Sequence, residues 1–194
     1  MKAVLISIQP QWCHRIIDGE KTIEVRKTKP KLDTPFKVYI YCSAGSYDWR
    51  KDPWTTAYFP PSGECTNMSQ MVIGEFVCDC ITPLYNVCAD EWRLLRGGLH
   101  EIEKQLVGMA CLTEEELHEY ASGQYCFAWH ISDLKIYDKP KKLGNFWKAD
   151  KCLYATESGC TYKYHCFRAG QIQRCGETLT RPPQSWCYVE ELQE

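Results

Sequence analysis

The chain has 194 residues, of which 44% are hydrophobic and 13% aromatic, so it can pack a core as one domain or as one domain with a substantial insertion. This composition excludes wholesale disorder. The formal net charge of −2 excludes nucleic-acid binding through an overall positive field, so such a partner would need a local basic patch.

The 13 cysteines would suggest disulfide bonds in a secreted protein, but their number is odd and Met1-Lys2 runs straight into a strand-like segment without a signal peptide. No apolar run approaches the roughly 18 residues needed to span a bilayer. We therefore expect a cytoplasmic protein without membrane contact, whose thiols are reduced and either buried or available to a metal.

The predicted elements are mostly strands, identified by apolar residues that alternate with other residues. In chain order, the predicted strands cover residues 3–8, 22–27, 36–42, 71–81, 127–137 and 185–191. A short helix is predicted between the first two strands, because Pro10 suits the first helical position and Gly19 ends the apolar stripe. Residues 84–107 are predicted to be helical in part.

A capping box is the clearest local signal in the chain. Thr113 and Glu116 have its spacing, Leu112 and Leu117 stand at hydrophobic-staple positions, and the helix that they begin is predicted to end near Gly123. Strands dominate and no βαβα rhythm repeats. The predicted fold class is therefore α+β with a mixed or closed sheet, and not a doubly wound sheet.

The segment from Gly19 to Arg26 is the most informative stretch for function. With a period of two, Ile23 and Val25 point to one face of a strand, while Glu24 and Arg26 point to the other. Arginine is well suited to bidentate contact with a phosphate or a base edge. The charged face is therefore either a ligand-binding surface or the solvated face of an edge strand that carries a surface ion pair.

The segment 43–69 has little regular patterning, but it carries five aromatic residues and the pair Pro60-Pro61. The aromatic residues are Tyr47, Trp49, Trp54, Tyr58 and Phe59. A loop of that length inside a compact domain is usually functional or disordered, and its aromatic residues argue against disorder. These residues either cap the end of a barrel or contact a ligand.

Four cysteines between the last two predicted strands have a spacing that suits a metal. Cys152, Cys160, Cys166 and Cys175 can fold a polar loop around Zn²⁺, with His165 as a competing ligand. The alternatives are four unrelated reduced thiols or a disulfide pair. The predicted role of the zinc is structural.

The run from Cys160 to Phe167 resembles a CCCH-type zinc finger in its first spacings and its interleaved aromatic residues. It departs from that family at the last ligand, because Gly170 stands where a histidine is expected. The resemblance implies single-stranded RNA stacked between aromatic rings, and the alternative is a zinc-stabilised loop without a ligand-binding role.

Several motifs together resemble the ASCH family of the PUA-like superfamily, in the small type often carried by prophages. They are the opening strand, Gly19-Glu20-Lys21-Thr22 followed by Arg26, the Ile73-Gly74-Glu75-Phe76 strand, Trp129-His130-Ile131 and the tail Pro182-Pro183-Gln184-Ser185-Trp186. The resemblance implies a PUA-like mixed β-barrel with a few peripheral helices. The ASCH-like domain would comprise residues 1–147 and 182–194, and residues 148–181 would be a Cys-rich insertion.

The resemblance also implies a cleft for RNA or a modified nucleoside beside the first helix. One branch of the family hydrolyses N4-acylated cytidine with the motif lysine, a threonine three residues later and a glutamate from a later segment. Lys21 matches the lysine, but Glu24 stands at the threonine position. Glu75 and residues 114–116 are candidates for the later glutamate, and Lys21 and Glu24 are the catalytic candidates here.

The predicted ligand-binding residues come from the first strand and helix and from neighbouring strands. They are Ser7, Gln9, Lys21, Glu24, Arg26, Tyr41 and His130. His130 is either a donor to a bound base, an acid/base group or a structural histidine.

The leading hypothesis is a binding module for RNA or a modified nucleotide, in which Lys21 and Arg26 hold a phosphate or a base edge. The first alternative is a hydrolase that uses the same cleft, as an amidohydrolase on a modified nucleoside or as a ribonuclease. The second is a protein-interaction adaptor whose contact face is formed by the zinc loop and the segment 43–69.

Overall fold

The computed structural model describes residues 1–44, 57–58, 66–84, 101–149, 155–156, 159–160 and 178–192. In these ranges the strands are β1 Lys2–Ile8, β2 Ile23–Arg26, β3 Phe36–Cys42, β4 Ala57–Tyr58, β5 Thr66–Asn67, β6 Met71–Cys78, β7 Ile81–Leu84, β8 Cys126–His130, β9 Ser132–Lys141, β10 Ala155–Thr156, β11 Gly159–Cys160 and β12 Trp186–Glu190. The α-helices of the same ranges are α1 Pro10–Ile17, α2 Glu101–Met109 and α3 Glu114–Ala121. The α+β class predicted from the sequence is confirmed.

The larger sheet has five strands in the order β12-β1-β3-β6-β9. Its strands β1 and β3 are parallel, and the other neighbouring strands are antiparallel. Because parallel neighbours need a crossover connection, the chain leaves this sheet after β1, forms α1 and β2, and returns as β3. This crossover places the segment from Gly19 to Arg26 beside the end of β1.

A second sheet has three strands in the order β2-β8-β7. Besides the crossover through β2, the chain passes between the two sheets at two short bends, from β6 to β7 at residues 79–80 and from β8 to β9 at Ile131. The backbone N–H of His130 donates to the carbonyl of Cys80 at 3.0 Å, so the two bends lie side by side. Among the described strands, the hydrogen bonds form separate sheets and do not close into one ring.

The single strand predicted over 127–137 is therefore wrong at its centre. Ile131 leaves the ladder and its N–H donates to the carbonyl of Thr22, while Asp133 adopts a φ of 46°. The strand predicted over 71–81 is likewise divided at residues 79–80. Period-two patterning continues through such a bend, because the pattern records burial and not the direction of the strand.

The five-stranded sheet is buried on both faces. One face packs against Cys13 and Ile16 of α1 and against Trp129. The other face, which includes Tyr39 and Tyr41, packs against Phe146. The alternation that predicted this strand is confirmed, because Phe36, Val38, Ile40 and Cys42 lie on one face and Tyr39 and Tyr41 on the other. The tyrosine face is as deeply buried as the apolar one.

The three-stranded sheet packs one face against α2 and α3, and Ile23 and Val25 of β2 belong to this cluster. The alternation along β2 then turns Glu24 and Arg26 toward the other face. The charged residues of the motif thus lie on the opposite side of β2 from Ile23 and Val25.

The predicted helix ends are confirmed. Gly19, which follows the end of α1, has a φ of +75°, as is usual for a glycine after the C-terminus of a helix. The N-cap of α3 is Thr113, whose hydroxyl accepts from the N–H of Glu116, while the Glu116 carboxylate accepts from the N–H of Thr113. Both halves of the predicted capping box are present.

Several predictions concern residues that the structure does not describe. They are residues 45–56 and 59–65 of the loop from 43 to 69, residues 85–100 of the segment 84–107, and most of the insertion 148–181. In the described ranges, none of the helices has the length and apolar character that crossing a membrane requires.

We predict that Gly74→Ala destabilises the fold, because a Cβ at this position would lie 2.5 Å from the carbonyl oxygen of Lys135 on β9. The expected loss is about 1–3 kcal/mol of the free energy of unfolding. Gly108→Ala is the matched control, since a Cβ there has no neighbour within 4 Å and the helix gains about 0.5–1 kcal/mol. Urea unfolding midpoints measure both, and equal midpoints for the two variants would contradict the prediction.

Candidate functional site

A cleft of about 880 Å³ opens where the end of β1, the start of α1, β2 and α3 meet. This volume is within the range of small-molecule sites. Polar and charged side chains line much of it. The lining residues are Ser7, Ile8, Gln9, Gln11, Trp12, Lys21, Glu24, Val25, Arg26, Ser43, Leu112, Glu116, Glu119, Tyr120, Pro182, Pro183, Gln184 and Ser185.

Lys21 is held in the cleft through both its backbone and its side chain. Its backbone N–H donates to the carbonyl of Arg15, which ties it to the end of α1. Its ammonium donates to the carbonyl of Ala110 at 2.7 Å, just beyond the end of α2, where carbonyl groups lack helical partners and carry partial negative charge. The side chain is only 3% exposed.

Glu24 and Arg26 form the centre of the site. Arg26 Nη2 lies 2.9 Å from Glu24 Oε1 and donates to the carbonyl of Ser7 at 2.6 Å. Lys21 Nζ lies 3.4 Å from Glu24 Oε2. All three side chains are at least nine-tenths buried, so one carboxylate is held between two cations at low exposure.

Two atoms of this cluster lack a hydrogen-bond partner. They are Glu24 Oε2, an acceptor, and Arg26 Nε, a donor. Among the described residues, the only other buried side-chain nitrogen or oxygen in this condition is Trp129 Nε1. An unpaired buried polar group is costly, so a bound group that pairs with both atoms would be stabilised.

Acidic side chains outnumber basic ones in the lining of the cleft. Two cations, Lys21 and Arg26, stand against three carboxylates, Glu24, Glu116 and Glu119. Glu116 is already engaged with the N-terminus of α3. Such a lining favours a neutral polar group over a phosphate.

Two aromatic residues face the same cleft. Trp12 comes from α1, and its ring centroid lies 5.2 Å from Lys21 Nζ. Tyr120 comes from α3. Burial raises the pKa of Tyr120, with an opposing contribution from Arg26 and a further rise from Glu24, so its hydroxyl is a neutral hydrogen-bonding group at pH 7.

The C-terminal tail forms one wall of the cleft. The Ser7 hydroxyl donates to the carbonyl of Pro183 at 2.7 Å, and the Ser7 N–H donates to the carbonyl of Ser185 at 2.9 Å. Trp186 Nε1 then donates to the hydroxyl of Thr28 at 3.0 Å. The tail is thereby fixed both to β1 and to the segment that follows β2.

Five of the seven predicted ligand residues line this cleft, namely Ser7, Gln9, Lys21, Glu24 and Arg26. Their role in ligand binding stays a prediction. The charged face of β2 is buried, so the alternative of a solvated edge strand with a surface ion pair is wrong. The reason is that β2 is an edge strand, and the C-terminal tail together with Glu116, Glu119 and Tyr120 of α3 encloses the charged side of this edge, which the local pattern does not reveal.

Tyr41 and His130 do not line the cleft. Tyr41 belongs to the buried face of the five-stranded sheet that packs on Phe146. His130 pairs in register with Ile23, so its side chain lies on the opposite side of the three-stranded sheet from Glu24, and its Nε2 lies 3.1 Å from the Thr82 hydroxyl. Glu75, a candidate for the later glutamate, pairs with Lys37 and Tyr137 elsewhere on the large sheet.

The predicted zinc site lies outside the described part of the chain. Cys152, His165, Cys166 and Cys175 lie outside the described residues, and the side chain of Cys160 is also outside them. Within the described ranges, no group of three or more potential ligands is arranged for a metal. Cys13 and Cys78 are buried, and burial raises the pKa of both thiols, that of Cys78 to about 12.

Sequence reasoning missed several residues of the cleft. In the sequence, Trp12 has only the signal of an apolar position in the predicted helix that begins at Pro10, and the tail Pro182-Pro183-Gln184-Ser185 has only that of the family resemblance. Glu119 and Tyr120 had no signal, because they stand about 95 residues from the motif and reach it only through the packing of α3.

We predict that Glu24→Gln destabilises the protein by roughly 2–5 kcal/mol, because two buried cations lose their counter-charge. Glu20→Gln is the matched control. Glu20 pairs with Arg15 at 3.3 Å, but both side chains are about half exposed, so the loss should stay below about 1 kcal/mol. Chemical denaturation of both variants checks this, and equal losses would show that the Glu24 cluster is screened by solvent.

No protein-family profile and no curated protein matches the chain. Among solved structures, it is similar to the ASCH protein of Zymomonas mobilis, with 20% identity and a TM-score of 0.45 over 73% of each chain. A tyrosine-to-phenylalanine mutant of that protein matches with 19% identity and a TM-score of 0.45, over 74% of this chain and 77% of the other. The structures found carry the name of the family that the motifs of this chain resemble.

Proposed function

We propose that this protein is a binding module for RNA or a modified nucleotide, and that the cleft seats a nucleobase. The observation that carries this proposal is a pair of buried atoms without a hydrogen bond on residues that line a cleft of about 880 Å³. They are Arg26 Nε and Glu24 Oε2, the latter 3.4 Å from Lys21 Nζ but not hydrogen-bonded. A base edge presents donors and acceptors side by side, so it can pair with a carboxylate and a guanidinium that are in contact with each other.

Aromatic residues of the cleft support a base more than another polar ligand. Trp12 and Tyr120 line it from two different helices. Proteins that recognise RNA by sequence usually unstack a base and hold it against aromatic rings while they hydrogen-bond its edge. The excess of carboxylates in the lining argues that the base enters and that the phosphate stays outside.

The two sheets support the PUA-like architecture that the ASCH resemblance implies. They are joined at two adjacent bends, at residues 79–80 and at Ile131, where the N–H of His130 meets Cys80. We propose that this arrangement corresponds to the mixed barrel of that superfamily, opened along the edge beside β2.

The hydrolase alternative is favoured by one observation. Lys21 Nζ and Glu24 Oε2 lie 3.4 Å apart in the cleft, where a carboxylate could act as general base and an ammonium could stabilise a developing negative charge. Thr22, the neighbouring hydroxyl, does not line the cleft. In this alternative Glu24→Gln would abolish turnover and keep binding, whereas a pure binder has no turnover to lose.

We predict that Arg26→Lys weakens binding by about tenfold or more, because lysine keeps the charge beside Glu24 but lacks the Nε–H donor proposed for the base. The measurements are the affinities for short single-stranded RNA of mixed sequence and for the four free ribonucleosides. Unchanged affinities in a folded Arg26→Lys variant would refute the role of Arg26.

Arg15→Lys is the control for this experiment. Arg15 pairs with Glu20 outside the cleft, and its guanidinium lies over the Trp12 ring, where an ammonium can replace it. Its affinities should equal those of the unmodified protein. If the unmodified protein binds neither RNA nor nucleosides, the proposed function is wrong, and the adaptor alternative takes its place.

The zinc loop stays a prediction. We expect the purified protein to contain about one zinc per chain, as four thiolates imply. Cys166→Ser should remove most of it, while Cys80→Ser, at an exposed thiol of the described fold, should not. Absence of zinc from protein purified without chelator would overturn the prediction.

A further inference from the structure

The segment that follows β2 carries a concentration of positive charge next to the cleft. Lys27, Lys29 and Lys31 alternate along it, and Asp33 is the one carboxylate before β3 begins. Lys27 is half-buried, and Lys29 and Lys31 are exposed. A chain with a net charge of −2 can attract a polyanion only through a local surface of this kind.

Aromatic residues hold this segment in place. Lys27 Nζ lies 5.4 Å from the centroid of the Tyr120 ring, and Tyr120 itself lines the cleft. Lys29 Nζ lies 5.7 Å from the centroid of Phe127, which pairs in register with Arg26. The lysines are therefore placed by contacts with residues of the cleft and of the strand beside it.

The last strand anchors the other side of the segment. Thr28 accepts the hydrogen bond from Trp186, and the N–H of Lys31 donates to the Tyr188 hydroxyl at 2.7 Å. Trp186 and Tyr188 are half-buried and stack edge to face at 5.3 Å, and Lys2 Nζ lies 4.7 Å from the Tyr188 centroid. Basic side chains and partly exposed rings thus form one continuous surface.

We infer that this surface, defined by Lys27, Lys29, Lys31, Trp186 and Tyr188, is a track for the phosphate backbone of a single-stranded nucleic acid whose base enters the cleft. The inference rests on the proposed function and narrows its ligand to a nucleotide within a strand. Lysines that follow a backbone, together with aromatic rings, are the usual means of binding single strands.

The opposite net charges of the cleft and the track are the physical reason for this binding orientation. The cleft has three carboxylates and two cations, so it repels a phosphate, whereas the adjoining track has three lysines and one carboxylate. A nucleotide can satisfy both surfaces only with its base inward and its phosphates along the track. A free nucleoside would use the cleft alone.

The test compares two double variants of equal charge change. Lys29→Gln with Lys31→Gln alters the track at its exposed positions, and Lys139→Gln with Lys142→Gln alters exposed lysines on and after β9, at the opposite edge of the large sheet from β12. The probes are short single-stranded RNA, single-stranded DNA of the same sequence and free nucleosides, each measured from about 0.1 M to 1 M salt.

We expect the slope of log affinity for RNA against log salt concentration to be less steep by about 1.4 in the track variant, which is about 0.7 for each of two lost phosphate contacts. The affinity of this variant relative to the unmodified protein then falls by about 25-fold as the salt concentration is lowered from 1 M to 0.1 M. Nucleoside affinity should stay the same, and the control variant should keep the original slope. An equal effect on DNA would show that the track reads phosphates without regard to the sugar.

Four results would overturn the inference. An unchanged slope in the track variant while RNA still binds, or an equal change in the control variant, would refute the track and leave the proposed role of the cleft standing. Binding of nucleosides without any RNA affinity would do the same. Failure of the unmodified protein to bind any of the probes would refute the proposed function and the track together.

Discussion

The burial of Glu24 between Lys21 and Arg26 is the constraint that organises the site. A carboxylate removed from water needs counter-charges, and the structure supplies two, each fixed by a backbone carbonyl from another element. Lys21 is bound to Ala110 beyond α2, and Arg26 is bound to Ser7 of β1. One charged cluster thereby connects the large sheet, the small sheet and the helical layer.

The same constraint explains why the cluster is incomplete by itself. Arg26 uses Nη2 for both Glu24 and Ser7, so its Nε–H is left without a partner, and Glu24 Oε2 is near Lys21 but without a hydrogen bond. Unpaired donors and acceptors at low exposure are uncommon in folded proteins, and they are often found where a ligand completes the site. The proposed base and the proposed phosphate track divide the ligand between an acidic cleft and a basic rim.

Much of the local structure could be predicted from the sequence. The capping box at Thr113 and Glu116, the glycine that follows α1 and the alternation along β3 each depend on contacts within a few residues, and all three are confirmed. The bends at residues 79–80 and at Ile131 could not, because the apolar pattern continues through them. The prediction that Tyr41 and His130 line the cleft is wrong for a similar reason, since the pattern of a strand does not tell on which side of its sheet the cleft lies.

The sequence by itself determined the α+β class, the family resemblance and the charged motif from Lys21 to Arg26, because these depend on residue types and short spacings. Only the tertiary structure decided that this motif is buried, that α3 and the C-terminal tail enclose it, and that three carboxylates line the cleft. The physical reason is that burial and electrostatic balance are properties of segments brought together over more than 90 residues of chain, and no local pattern encodes their meeting.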